Sequence, residues 1–144
     1  MRNLIVAFLL CSPVLICSGC GSRDTSTPAK ALIGHWRFES DDTLDTGGFH
    51  MVGEGWFRPD GTFTGLLKIR ETLGNGKIRE KEELHERKYR VGEQDLTNRT
   101  LDWSEQKSDG TFSEPGILKF SDDFNEIFLG GDNWKYVDSE LNRP

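Results

Sequence analysis

The sequence predicts an all-β domain, a single antiparallel up-and-down meander of about eight strands that forms a closed or half-open barrel. Three observations support this. Short segments alternate apolar and polar residues with the period of two that a half-buried strand shows. Clusters of Gly, Asp and Asn separate these segments as turn residues do. Eight sequential strands avoid exposed sheet edges most simply by closing into a barrel.

The first 19 of the 144 residues differ from the rest and predict a signal peptide that begins as an apolar helix. Residues 4–17 are almost entirely apolar and follow a single basic residue, Arg2. This run is shorter than the roughly 20 residues that a spanning helix needs, and it ends in small residues. We therefore expect cleavage rather than retention as a membrane span.

The stretch Cys17-Ser18-Gly19-Cys20 resembles the lipobox of bacterial lipoproteins, although Cys17 stands where that family usually has an aliphatic residue. The resemblance implies that Cys20 is lipidated and anchors the mature chain to a membrane, which two or three acyl chains achieve durably. A secreted protein and an uncleaved anchor are the alternatives. Gly21 replaces the Asp that resembles an inner-membrane retention signal, so the outer membrane facing the periplasm is expected, with the cell surface as alternative.

Composition excludes several classes of function. All three cysteines lie within residues 1–20, so the mature domain has no thiol for a disulfide, a zinc site or a nucleophile. Removing residues 1–19 takes away only Arg2 among the charged side chains, which leaves 17 basic and 24 acidic residues and a net charge of −7. Nucleic acid and anionic lipid headgroups are therefore poor partners.

Residues 20–30 hold the lipidated cysteine and a polar stretch that predicts a flexible tether, and the barrel domain spans residues 31–138. The first strand alternates around Trp36 and Phe38, which we expect to point inward. Residues 41–48 predict a loop, and residues 49–57 a strand. Gly53 and Gly55 share the inward face of that strand, where they allow it to coil sharply.

Pro59-Asp60-Gly61 supplies turn chemistry between two aromatic-bearing segments and predicts a β-hairpin. The strand over 62–71 that follows places Phe63 and Leu67 on one face, and Asn75-Gly76 predicts the next tight turn.

Residues 77–91 are rich in helix formers but predict a long, charged strand. On a helix, Ile78 and Leu84 would lie about 120° apart and form no buried stripe. A helix remains the alternative. In the strand, the apolar parity changes between Leu84 and Tyr89, which predicts a bulge there.

Four shorter strands complete the meander, at residues 96–104, 111–120 with a bulge at Pro115-Gly116, 127–129 and 134–137. Residues 139–144 form a polar tail that is expected to fray.

Two motifs resemble lipocalin-like bacterial domains over residues 31–138. These are Gly34-His35-Trp36, and Trp56-Phe57 followed by Asp60-Gly61-Thr62-Phe63. The resemblance implies a barrel that binds a small apolar ligand. It also implies a basic side chain over Trp36 from late in the barrel, for which Lys135 and Arg143 are the candidates.

Five aromatic residues are candidates for lining a ligand site or filling the core: Trp36, Phe57, Phe63, Trp103 and Trp134. A polar pocket is the second candidate. If Ile78 and Leu84 point inward, Glu80 and Glu82 enter the barrel mouth, where paired carboxylates raise one another's pKa. The alternative is that this strand projects beyond the barrel with both faces in water.

No catalytic or metal-binding signature is present in the sequence. His35, His50 and His85 fall on different predicted strands without a ligand spacing, so no metal and no cofactor are expected. The sequence favours a non-enzymatic envelope lipoprotein that binds a small apolar or amphipathic ligand. The alternative is a structural or protein-interaction lipoprotein with a filled barrel, whose acidic rim contacts another envelope protein.

Overall fold

The computed structural model describes residues 22–44 and 47–141, which form one short helix followed by a closed barrel of eight antiparallel strands. The all-β prediction is confirmed, whereas the predicted signal helix and Cys20 lie outside the described residues. The elements are α1 Pro28–Leu32, β1 Gly34–Leu44, β2 Gly47–Phe57, β3 Thr62–Thr72, β4 Ile78–Asp95, β5 Thr100–Glu105, β6 Gly116–Phe120, β7 Glu126–Leu129 and β8 Asp132–Asp138.

Each strand pairs with the next one in the sequence, and β8 returns to pair with β1. Trp36 lies opposite Tyr136, and Arg37 lies opposite Lys135. The pairing of β8 with β1 closes the sheet, so the prediction of a half-open barrel, the alternative to a closed one, is wrong.

The strands differ greatly in length, which gives the barrel two unlike ends. Strands β1 to β3 have 11 residues each and β4 has 18, whereas β5 to β8 have between 4 and 7. β8 pairs with β1 only at residues 35–37, and β5 pairs with β4 only from Tyr89 onward. The ring is therefore complete at one end, the closed end. At the other end, the mouth, β1 to β4 continue as a four-stranded wall.

Helix α1 plugs the closed end. Thr27 caps the helix by accepting a hydrogen bond from the backbone N–H of Lys30, and Pro28 occupies the first turn, where its missing N–H costs nothing. Ala31 and Leu32 are fully buried, and the indole N–H of Trp36 donates to the Leu32 carbonyl at 2.7 Å. Leucine, isoleucine and aromatic side chains from the later strands complete this core: Leu101, Leu118, Phe120 and Ile127.

Within the described ranges, 22–44 and 47–141, no helix combines the length and the apolar character that crossing a bilayer requires.

Arg23 seals the closed end from outside. Its guanidinium lies 3.7 Å from the ring centroid of Tyr136 and 4.8 Å from that of Trp36, within cation–π range of both. Its Nε also donates to the Ala31 carbonyl at 3.1 Å. The cation over Trp36 thus comes from before the barrel and not from the predicted Lys135, which is exposed and lies 3.9 Å from Glu126. Arg143 lies outside the described residues.

The segment predicted to be a tether therefore has structure in its described part. Residues 28–30, placed in the coil by the sequence, form the first turn of α1, and Arg23 is held against the barrel. The tether was predicted because residues 21–30 contain no large apolar side chain. Small side chains and one arginine make the contacts with the barrel instead.

The hairpin at residues 57–63 forms as the sequence predicts. The Asp60 carboxylate accepts hydrogen bonds from the backbone N–H and the hydroxyl of Thr62, at 2.9 and 2.7 Å. Gly61 has φ +80°, a conformation that favours glycine.

The predicted loop at residues 41–48 is wrong in its described part, because residues 41–44 belong to β1 and residues 47–48 belong to β2. Asp41 pairs with His50 and Asp42 with Phe49, so β1 and β2 continue through most of this polar stretch. Backbone ladders do not require apolar side chains where both faces of a strand meet water.

The long charged segment is a strand, β4, and the helix alternative is wrong. Its bulge differs from the prediction, because the register shift lies between Val91 and Gln94 rather than before Tyr89.

The next two strands are shorter than predicted. Asp95 accepts hydrogen bonds from the N–H groups of Thr97 and Asn98, which makes a turn where β5 was expected to begin. β6 starts only at Gly116, after Pro115, whose missing N–H removes a ladder donor.

Candidate functional site

An open cleft of about 460 Å³ lies at the mouth, between the four-stranded wall and the turn that joins β7 to β8. Most of its lining is apolar and comes from β1, β2, β3 and β8. The principal apolar side chains are Phe38, Met51, Phe63, Leu67, Leu129 and Trp134. This is the volume of a small-molecule site, which typically runs from about 300 to 1,000 Å³.

Glycines on two neighbouring strands make room for this cleft. Gly55 of β2 pairs directly with Gly65 of β3, and Gly53 lies two residues further along β2 on the same face. A Cβ atom on residue 53 would overlap the ring of Phe38. At residue 55 it would lie 3.3 Å from Trp134, and at residue 65 it would lie 3.3 Å from Phe63. The glycines therefore let aromatic rings lie flat against the strands.

A stack of aromatic rings forms the floor of the cleft. Phe57 and Phe63 lie parallel with centroids 5.3 Å apart, and the edge of Trp103 packs on both at 6.1 Å. On the opposite side, Phe38 and Trp134 are in contact at 4.4 Å. Stacked and edge-to-face ring pairs at these distances are mutually stabilising.

The five aromatic residues predicted as ligand-lining or core residues divide into two groups. Trp36 and Phe57 are buried in the core, at 0 and 1 % exposure. Phe63, Trp103 and Trp134 are only partly buried and pack on that core from the mouth side. Phe63 and Trp134 line the cleft directly.

The rim of the cleft carries charges of both signs from the inward face of β4. Arg87 donates to Glu105 at 2.7 Å, and His85 Nε2 lies 3.4 Å from the Glu83 carboxylate. Glu83 also bonds to Lys81, and this hydrogen bond is the main reason that the pKa of Glu83 is lowered. The cations at the rim are thus held in place by neighbouring carboxylates.

Glu80 and Glu82 lie on the outer face of β4, away from the cleft. Strand pairing places them opposite Arg70 and Lys68, and Arg70 Nε lies 3.7 Å from Glu80. Ile78 and Leu84, which suggested that this face is buried, are 53 and 49 % exposed.

The inward residues of β4 could have been found from another signal. Tyr89 is buried, and counting back from it in steps of two reaches Arg87 and His85, which the sequence analysis did not single out.

One group of described side chains has ligand atoms close enough to hold a metal ion, Glu39, Asp41 and His50, with these atoms within 4.8 Å of one another. His50 Nδ1 lies 2.6 Å from Asp41 and Nε2 lies 3.6 Å from Glu39. The imidazole therefore bridges two carboxylates across the β1–β2 pair. All three side chains are partly exposed, and we describe the group as a cross-strand ion-pair network.

Comparison with known proteins adds no assignment: neither protein-family models, nor curated proteins, nor solved structures give a match to this chain. The function must therefore be argued from the residues themselves.

Proposed function

We propose that the protein is a membrane-anchored envelope lipoprotein, without enzymatic activity, that binds a small apolar or amphipathic ligand in the mouth cleft. The observation that carries this proposal is the open cleft of about 460 Å³, with a mostly apolar lining, above an aromatic floor. Small-molecule sites are predominantly apolar concavities of this size.

The lining favours an amphipathic ligand. Phe63, Leu67 and Trp134 offer apolar surface below, whereas His85 and Arg87 stand at the rim. An apolar chain or ring lying on the floor would place its polar group beside these two side chains. Met51 adds an adaptable contact, because a methionine side chain adjusts to irregular shapes.

A lipocalin-like relationship remains part of this proposal. The Gly34-His35-Trp36 motif, the Asp60-Gly61-Thr62-Phe63 hairpin and the closed eight-stranded meander all agree with it. The proposed site is shallower than a ligand site in the barrel interior would be, because α1 and the aromatic core fill the closed end. The ligand would therefore occupy the mouth alone.

The anchor and the location rest on the sequence. Cys20 follows a lipobox-like stretch, and Gly21 favours the outer membrane facing the periplasm in a Gram-negative host, with the cell surface as the alternative. Acyl chains on Cys20 would hold the domain at a lipid surface.

The absence of catalysis is proposed from the chemistry of the cleft. Its described lining contains no serine, threonine, cysteine or lysine, and His85 and Arg87 in that lining each contact a neighbouring carboxylate. The proposal includes no cofactor and no metal.

A second candidate function, a structural or protein-interaction lipoprotein, is favoured by one observation. Ile117, Phe128 and Val137 are 70, 51 and 46 % exposed on the outer side of β6 to β8. An envelope protein partner would bury these apolar side chains.

Two measurements test the proposed function. The full chain, expressed in a Gram-negative host and purified from membranes, should carry a co-purifying amphiphile detectable by native mass spectrometry. It should also bind the fluorescent apolar probe Nile red with micromolar affinity. If neither a bound molecule nor probe binding is observed, the protein-interaction alternative stands instead.

A further inference from the structure

We propose that the closed end of the barrel faces the lipid surface, so that the mouth opens away from the bilayer and takes its ligand from the aqueous side. This inference rests on the proposed anchoring through Cys20, and it adds an orientation and a source for the ligand. It is carried by the contacts of Arg23, which fix where the chain leaves the barrel.

Arg23 is held by four parts of the closed end at once. Its guanidinium covers the rings of Tyr136 on β8 and Trp36 on β1. Nε and Nη2 donate to the carbonyl of Ala31 in α1, and Nη1 lies 3.5 Å from the side chain of Asn125 in the turn between β6 and β7. Contacts to several separate elements define the position of this residue better than one hydrogen bond would.

Only two residues, Gly21 and Ser22, separate Arg23 from Cys20, so three residue steps join them. Fully extended, three residues span about 11 Å at most, so an acylated Cys20 must stay close to the closed end. A flexible tether over residues 20–30, as the sequence predicted, would have let the domain turn freely above the membrane. With Arg23 fixed, that freedom is largely removed.

The mouth lies far from this attachment point. β1 runs from Gly34 at the closed end to Leu44 at the mouth. Ten steps of about 3.3 Å give roughly 33 Å along the strand, or about 25 Å along the barrel axis at the usual tilt. The cleft begins at Phe38, about 13 Å along β1 from Gly34, and it opens toward the tip of the wall, away from the attachment point.

Electrostatic attraction between the closed end and lipid headgroups does not explain this orientation. The turns at the closed end expose Asp60, Asp95, Asp122 and Asp123, which anionic headgroups repel. The short link to Arg23 must then orient the domain by itself, and lengthening that link should release the orientation without releasing the attachment.

The test places a fluorophore at either end of the full chain, which is purified from membranes and reconstituted in phosphatidylcholine vesicles that contain nitroxide-labelled headgroups. Thr97→Cys labels the closed end and Lys77→Cys labels the mouth, and both positions are exposed. We expect the nitroxide to quench the Thr97 label at least threefold more than the Lys77 label. Equal quenching, or stronger quenching at Lys77, would overturn the inference.

Two variants probe the link itself. An eight-residue Gly-Ser insertion between Gly21 and Ser22 leaves the contacts of Arg23 intact and should equalise the two labels. Arg23→Ala should do the same, whereas the matched change Arg37→Ala at an exposed arginine should keep the difference. If Arg23→Ala fails to fold, the insertion still decides, because an unchanged difference in that variant contradicts an orienting link.

Vesicle flotation and the mass of the N-terminal peptide separate this inference from the proposed function. A chain that floats with the vesicles and carries acyl chains, yet shows no difference between labels, overturns the orientation alone. A chain that neither floats nor carries acyl chains overturns the anchoring, and the orientation with it.

Discussion

The ring of Phe38 on β1 lies across Gly53 of β2, its direct partner in the strand register, and occupies the space that a side chain on residue 53 would need. Phe38 is 6 % exposed and touches Trp134, so the ring has little room to move aside.

We therefore expect Gly53→Ala to destabilise the domain by about 1–3 kcal/mol, the typical cost of overpacking a core. The measurement is the free energy of unfolding in urea. Gly48→Ala is the matched control on the same strand, because a Cβ there meets nothing within 4 Å. Equal stability of the two variants would contradict the packing described at Phe38.

If the mouth cleft binds an apolar ligand as proposed, a side chain that fills its floor should weaken that binding. Gly65→Leu introduces a side chain at the cleft floor beside Phe63, whose ring lies 3.3 Å from the position of a Cβ atom and must shift slightly to admit it. We expect binding of Nile red to weaken at least tenfold while the circular dichroism spectrum stays unchanged. Gly48→Leu, placed on the outer face, serves as the control and should bind the probe as the unmodified chain does.

The rim should distinguish an anionic ligand from a neutral one. Arg87→Gln is expected to weaken binding of a dansylated fatty acid about fivefold to tenfold, and to leave Nile red binding nearly unchanged, because only the former carries a carboxylate. The double change Glu80→Gln and Glu82→Gln should affect neither probe, since both residues face outward. If the double change altered binding of only one of the two probes, Glu80 and Glu82 would lie beside the bound ligand, contrary to the structure.

Tyr89 gives the domain a stability that depends on pH in the alkaline range. Its hydroxyl donates to the Arg58 carbonyl at 2.6 Å, and burial raises its pKa to about 12. An unfolded tyrosine ionises near pH 10, so ionisation favours the unfolded chain above that pH. The stabilisation is complete below about pH 10 and is lost as the pH rises toward 12.

The difference in unfolding free energy between the natural chain and Tyr89→Phe should consequently shrink by about 2 kcal/mol between pH 9 and pH 12. Tyr136 is present in both chains and cancels in this comparison. Absorbance of tyrosinate at 295 nm gives the pKa directly, and ionisation of Tyr89 near pH 10 would contradict its burial.

Local patterns were sufficient for the architecture. The alternation around Trp36 and Phe38, the paired glycines of β2 and the Asp60-Gly61 turn each specify backbone conformation over a few residues. Together they predicted an antiparallel meander, and the structure adds the closing pair between β1 and β8.

The faces of β4 were not predictable in the same way. Its apolar residues Ile78 and Leu84 are exposed on the outer face, whereas His85 and Arg87 take the inward positions. Where a strand projects beyond the core, hydrophobic residues no longer identify its inner face. In β4 only the buried residue Tyr89 shows which alternate residues point inward.

Arg23 shows a second limit of sequence analysis. Its partner Tyr136 lies at the other end of the chain, and no local pattern signals such a contact. The predicted cation was sought late in the barrel, while the same interaction is made from the N-terminal side.

The unequal strand lengths also affect whether two copies of the protein can pair through an exposed strand edge. Among the described residues, β5 pairs with β4 only from Tyr89 onward, so the mouth half of β4 forms an edge of the sheet on that side. Such an edge can add a strand from a second molecule and start a fibre. Here it carries Arg79, Lys81, Glu83 and Arg87, and a second copy in register would set like charges against each other. The dense charge of this strand thus opposes pairing of its edge with a second copy.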